Sequence, residues 1–199
     1  ASAKALRSIQ QRDLPELAPE RRVLGVIRPT AEVIGDLTVT RHVGLLATEG
    51  TVKSESYNLE IQKLHPEIKV TGVACPLWVP IIENNEADSP GADYFVKKRI
   101  DTLMRTDPQI DAIILGCTHY PLLMPKILKY VSPGVRIVSQ SEYVADSLKQ
   151  YLERHVRVEE MCTKQGTCRY LTTENTDKFK DTAMIFLHED INVKHVDLE

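Results

Sequence analysis

Ala112-Ile113-Ile114-Leu115-Gly116-Cys117-Thr118-His119-Tyr120-Pro121-Leu122-Leu123 is the stretch whose reading decides the fold. Four apolar residues run without alternation into a glycine, the pattern of a strand buried on both faces. A thiol, a hydroxyl and an imidazole follow in succession, then a proline and a helix-like apolar run through Tyr130. A buried strand that delivers polar side chains to the mouth of a helix is the βα unit of a parallel sheet. In such sheets ligands bind beyond the carboxyl ends of the strands.

The chemistry of these residue types fits that position. A cysteine reacts as its thiolate, and a helix N-terminus or a nearby imidazolium lowers its pKa. Cys117 stands just before the expected helix start, with His119 two residues on, so a lowered pKa is expected. Gly116 allows close backbone approach. Thr118 offers a hydroxyl and an N–H to an anion. The plainer alternative is that Cys117 is a small buried hydrophobe at a strand end. A Cys-x-His pair could also open a zinc site, but no second pair lies at ligand spacing, so no metal is expected.

Outward from this unit, strands and helices alternate. Residues 1–11 read as a helix, and Pro15 and Pro19 mark a loop. Val23–Ile27 reads as a short strand that Arg28-Pro29-Thr30 interrupts. His42–Ala47 is the next strand, and Thr48 and Thr51 lie on the turn beyond it. Their hydroxyls suit a carboxylate, although either could simply cap the following helix. Tyr57, Ile61 and Leu64 give that helix an apolar face, and His65-Pro66 ends it with a solvated histidine favourable to the helix dipole.

Ile68–Ala74 is a strand leading into Cys75-Pro76-Leu77-Trp78-Val79-Pro80-Ile81-Ile82-Glu83. Trp78 reads as a core residue or an interface anchor. The polar segment 84–91 is a loop bordering the site, and Val96, Ile100 and Leu103 face a helix through Arg105. Val135–Val138 is a strand, after which Ser139 and Glu142 resemble a capping box opening a helix with Val144, Leu148, Tyr151 and Leu152 on one face. The pattern fails from Arg157 to Thr167, read as a loop. Residues 169–173 form a strand, Asn175 or Thr176 caps a helix through Phe186, and 193–197 close as a strand. His188 and His195 read as surface residues.

Further matches then give the pattern a family. Gly116-Cys117-Thr118-His119-Tyr120-Pro121-Leu122-Leu123 resembles the second catalytic motif of bacterial glutamate racemases. Aspartate and hydantoin racemases share the Gly-Cys-Thr core, and the His-Tyr-Pro continuation points to glutamate. Thr48 to Ser54 resembles the family's substrate-touching Gly-Thr-x-x-Thr loop, with Ala47 in place of a glycine. The Cys75–Glu83 run resembles a Cys-Pro-x-x-Val-Pro-x-x-Glu segment whose cysteine is not a catalytic base, which implies a packing role for Cys75, and whose glutamate helps orient or polarise the histidine beside the second cysteine. The C-terminal Thr-Thr, helix and His-Val-Asp-Leu pattern matches as well.

The resemblance implies two similar parallel-sheet α/β domains with the active site between them. Residues 29–138 would form the second domain. Residues 1–28 and 139–199 would be the remainder of a first domain incomplete in this chain. It implies cofactor-independent racemisation of glutamate, with Cys117 as one of two acid–base cysteines, His119 and Glu83 assisting, and Thr118, His119, Thr48 and Thr51 binding substrate. The other cysteine is expected in a Cys-Asn-Thr motif just before a helix like the one at Ala1. Roughly a third of the family's chain would precede it, and the 199 residues alone are expected to be inactive. It implies no cofactor, a homodimer, and D-glutamate supplied to peptidoglycan. The alternatives left open are an aspartate- or hydantoin-type racemase, and a non-catalytic binding domain lacking the first cysteine.

Composition narrows the field without choosing among these. A net charge of −3 argues against a nucleic-acid partner. No apolar run approaches the roughly 20 residues of a membrane span. Four scattered cysteines, Cys75, Cys117, Cys162 and Cys168, do not make a disulfide scaffold, so a reducing cytoplasm is expected.

Overall fold

A computed structural model describes residues 2–197. The organising element is a four-stranded, wholly parallel sheet built from β1 (His42–Ala47), β2 (Lys69–Ala74), β3 (Ala112–Leu115) and β4 (Arg136–Val138), in the order β2-β1-β3-β4. Leu46 pairs with Leu115 across β1 and β3, and Ala47 with Ala74 across β1 and β2.

The register sorts side chains onto two faces with the period of two that a strand imposes. Leu46, Ile113 and Leu115 join one buried cluster, while Val43, Leu45, Ala47, Ala112 and Ile114 join the other. Ile113 and Ile114 are both completely buried, on opposite faces, which is why β3 reads as an unbroken apolar run. Burying each such side chain stabilises the fold by about 1.5–3 kcal/mol.

Helices cover both faces. The chain begins with α1 (Ser2–Ser8), a π-helical turn at Ile9–Asp13 and α2 (Leu14–Leu17). α3 (Ile27–Leu37), α5 (Ser56–Leu64) and α9 (Gln140–Arg154) lie on one side of the sheet, and α3 packs against both of the others. The short α4 (Glu49–Lys53) precedes α5. α6 (Trp78–Glu83), α7 (Pro90–Thr106) and α8 (Met124–Tyr130) cover the other side, and a 3-10 turn at Tyr120–Leu123 leads into α8. After α10 (Val156–Glu160), a separate two-stranded parallel sheet forms from β5 (Tyr170–Thr172) and β6 (Val193–His195), with α11 (Thr176–Leu187) as the crossover.

Several expectations require correction. Val23–Ile27 is not a strand: residues 22–25 are irregular and Ile27 opens α3. Pro29 does not interrupt that helix, because it sits in the first turn, where its missing N–H would have had no intrahelical partner. The buried set Ile27, Thr30, Ala31, Ile34 and Gly35 follows helical spacing. Pro15 likewise lies inside α2 rather than in a loop.

His65 is not simply solvated. A Cβ on Gly35 of α3 would lie 2.3 Å from His65 Cε1, so the imidazole occupies the space that glycine leaves and locks α5 to α3. The segment expected to be irregular from Arg157 contains α10. Ser139 holds the N-cap position of α9 without a side-chain capping bond, its hydroxyl lying 3.3 Å from that of Ser141 instead. The closing strand ends at His195, short of Asp197. Asn175 does cap α11, accepting from the Lys178 N–H at 2.9 Å.

Candidate active site

In the order β2-β1-β3-β4, connections leave β1 in one direction and return past it to β3. The crevice between the carboxyl ends of β1 and β3 is therefore the topological switch point, where open α/β sheets bind ligands. Thr48 follows β1 and Gly116-Cys117 follow β3. Between them opens a cleft of ≈ 550 Å³ lined by Thr48, Thr51, Tyr57, Cys117, Thr118, His119 and Gln140, with Leu6 and Val26 on the apolar wall.

Gly116 is needed by close packing. Its N–H donates to the Leu46 carbonyl at 2.8 Å, and a Cβ there would lie 2.9 Å from Leu45 Cδ1 and 3.0 Å from Ala47 Cβ. Past it, the Tyr120 N–H donates back to the Cys117 carbonyl at 3.2 Å, closing a turn. Tyr120 anchors that turn from below. It is fully buried, donates its hydroxyl to the Cys75 carbonyl at 3.2 Å, and meets Trp78 edge-on with centroids 4.7 Å apart. Trp78 in turn donates its indole N–H to the Phe95 carbonyl at 3.3 Å.

On this base the polar groups converge. Cys117 Sγ lies 3.8 Å from His119 Nδ1, and His119 Nε2 lies 3.1 Å from Glu83 Oε1 at the end of α6. The ring thus spans a thiol and a carboxylate. Thr48 is the N-cap of α4: its Oγ1 accepts from the Thr51 N–H at 3.4 Å and lies 3.0 Å from the Thr51 hydroxyl. The capping and cleft-lining readings of these threonines hold together, because the cap holds both hydroxyls at the rim.

The expected lowering of the Cys117 pKa is not what the site produces. Burial pushes the thiol up and the Glu83 carboxylate adds to this, while the N–H groups of His119 and Tyr120 offset only part. The short 3-10 turn after Cys117 supplies too little of a helix end to outweigh desolvation. The surroundings of Cys117 therefore favour the thiol over the thiolate. Cys75 is sealed, 1% exposed, and burial raises its thiol to about 12. Cys162 and Cys168 are exposed and free, away from the cleft lining.

Three residues near the site went unassigned in the sequence. Tyr57 is buried and accepts a hydrogen bond from the Gln140 carboxamide across the cleft floor. Phe186 of α11 meets the His119 ring edge-on, centroids 5.1 Å apart and planes at 85°. The sequence places Tyr57 and Phe186 on helices, but these contacts carry no local signal.

Against known proteins, residues 15–148 match the model of the Asp/Glu/hydantoin racemase family. The chain belongs to this family. It is 37% identical over 179 residues to glutamate racemase of Streptococcus uberis and 39% identical to that of Streptococcus pyogenes serotype M49, each alignment covering 88% of this chain. The chain spans 66% of the length of those relatives. Among solved structures, glutamate racemase isoform RacE1 of Bacillus anthracis superposes with a TM-score of 0.87 at 31% identity, covering 99% of this chain and 70% of that one. The Francisella tularensis glutamate racemase, solved with D-glutamate, superposes at 0.80 with 26% identity, covering 98% of this chain and 71% of that one. The mixed α/β fold with parallel sheets is thus the racemase fold. Among the described residues no cluster of three or more His, Cys, Asp or Glu could hold a metal, and no helix is long and apolar enough to cross a membrane.

Proposed function

We propose that this chain carries one of the two proton-transfer faces of a glutamate racemase. The observation that supports this most directly is a half-buried thiol at the switch point of a parallel sheet, within reach of an imidazole–carboxylate pair and flanked by three threonines. Inverting a carbon requires loss of its α-proton on one face and delivery of a proton on the other. A thiol with a raised pKa is suited to deliver. In that step the Cys117 S–H bond breaks, its electron pair stays on sulfur, and a C–H bond forms at the substrate carbanion. In the reverse direction the thiolate removes the α-proton. His119 exchanges a proton with Cys117 through Nδ1, and Glu83 stabilises the imidazolium from Nε2. The hydroxyls of Thr48, Thr51 and Thr118 hold the substrate carboxylates.

The opposite face needs a second acid–base group. Cys75 is sealed in the core and Cys162 and Cys168 lie elsewhere, so none of these supplies it. The second group would be the thiol of the family's first motif, and the 199 residues alone are expected not to racemise. The division into residues 29–138 and a second unit of 1–28 with 139–199, homodimeric assembly, a cytoplasmic location, and use of D-glutamate in peptidoglycan belong to the same proposal.

The full-length protein should interconvert L- and D-glutamate without added cofactor, followed by polarimetry and by exchange of the α-proton in deuterated water. Cys117→Ala should abolish interconversion in both directions. Retained activity in that variant, or turnover at full-length levels by the 199-residue chain, would overturn the assignment. Preference for aspartate or a hydantoin in a substrate panel would move it to a sister activity.

A further inference from the structure

We propose that Phe186 is a positioning residue for His119, through which the helix of the two-stranded sheet sets the geometry of the site on the four-stranded sheet. The inference rests on the functional reading above but can fail independently of it. His119 is one-quarter exposed and its partner Glu83 nearly half exposed. An ion pair that open to water holds a ring only weakly. Cys117 Sγ at 3.8 Å is a long contact and adds little restraint.

What remains is packing. Phe186, near the C-terminal end of α11, meets the imidazole edge-on at 5.1 Å, the geometry that aromatic quadrupoles favour. Phe186 also packs against the cluster containing Trp78, Tyr120 and Leu123, so its ring is held by the core beneath the Cys117 turn. It therefore braces the imidazole in the orientation that points Nδ1 at Cys117 and Nε2 at Glu83. Those two are the titratable groups that face the ring among the described residues. α11 is the crossover between β5 and β6, so the brace originates in the second sheet.

The test compares Phe186→Ala, Phe186→Leu and Phe186→Tyr in the full-length protein, with Met184→Ala, an exposed position on the same helix, as a control. Phe186→Ala and Phe186→Leu should lower kcat roughly 3- to 10-fold, the scale of one aromatic contact, with KM changed less than about 2-fold. Phe186→Tyr should restore kcat to within about 2-fold, and Met184→Ala should change neither parameter.

A second readout needs no turnover. Alkylation of Cys117 by iodoacetamide should slow when His119→Asn is made in the wild-type background. It should slow less than half as much in the Phe186→Leu background, where the imidazole is no longer aimed at the sulfur; this is a non-additive cycle. Equal slowing in both backgrounds, or a Phe186→Leu defect confined to KM, would overturn the proposal. If the wild-type protein does not racemise glutamate, the functional reading fails, and the alkylation cycle still decides whether Phe186 positions His119.

Discussion

The two rims of the four-stranded sheet are built from the same strands and put to opposite uses. At the amino ends, two aspartates are saturated with partners. Asp107, 3% exposed, lies 2.8 Å from His42 Nδ1, accepts from Lys69 Nζ at 2.9 Å and from the Gln109 N–H at 3.2 Å. Asp111 accepts from the Thr38 hydroxyl at 2.5 Å and the N–H groups of Val39 and Thr40 at 2.6 and 2.8 Å, tying the loop before β1 to the start of β3. At the carboxyl ends the polar groups converge on open space: a half-exposed thiol, threonine hydroxyls at a cleft rim, and an imidazole reaching toward the sulfur. A rim whose donors and acceptors all find each other stabilises; one whose groups face a cleft is free to bind.

Substitutions on the two rims should therefore separate activity from stability. The largest effect belongs to Cys117→Ala, which should lower racemisation of the full-length protein at least about a hundredfold with little change in denaturant midpoint. Asp107→Ala should do the reverse. It leaves His42 and Lys69 without their carboxylate and should cost about 2–3 kcal/mol in chemical denaturation, while the folded protein keeps its turnover rate.

The same carboxylate sets a pH dependence. Burial alone would push Asp107 up, but hydrogen bonds from His42, Lys69 and the Gln109 N–H outweigh it and hold it well below the usual carboxylate range. A group lowered in the folded state stabilises above its unfolded pKa, near 4, and that contribution fades as pH falls toward the folded value. Urea melts should show stability declining below about pH 4, with a shallower decline in Asp107→Asn.

Gly116→Ala sharpens the contrast from inside the site. The new methyl meets Leu45 and Ala47, and overpacking there should cost about 1–3 kcal/mol and lower activity as well, because the Cys117 turn must shift. The smallest effect is expected for Thr48→Ala. Loss of the α4 cap should cost about 1 kcal/mol or less in stability, with its main consequence a raised KM for glutamate.

What the sequence disclosed follows from how local each signal is. β1 and β3 are legible because strands buried on both faces must be apolar throughout. The cap at Asn175 is legible because its chemistry is satisfied within one turn. The adjacency of Glu83 and His119 came from resemblance; no spacing rule predicts it across the 36 residues that separate them. α3 was obscured by Pro29, which breaks a helix only beyond the first turn. The direction of the Cys117 shift was misread because neighbours in sequence push it down, whereas burial, a property of the whole fold, pushes it up. Phe186 and the Tyr57–Gln140 contact were out of reach for the same reason: they exist only once distant helices have packed.

The tight pairing of Gly116 with Leu46 has a kinetic corollary. Its amide lies just past the end of β3 at the edge of the cleft, yet it donates to the carbonyl of the fully buried Leu46, so it should exchange its hydrogen slowly for a group so placed. The sulfur one residue later is thus tethered to the sheet, whereas its imidazole neighbour is held by Glu83 and Phe186, side chains of two separate helices. Reactivity at this thiol would then keep time with the motion of its companions rather than its own.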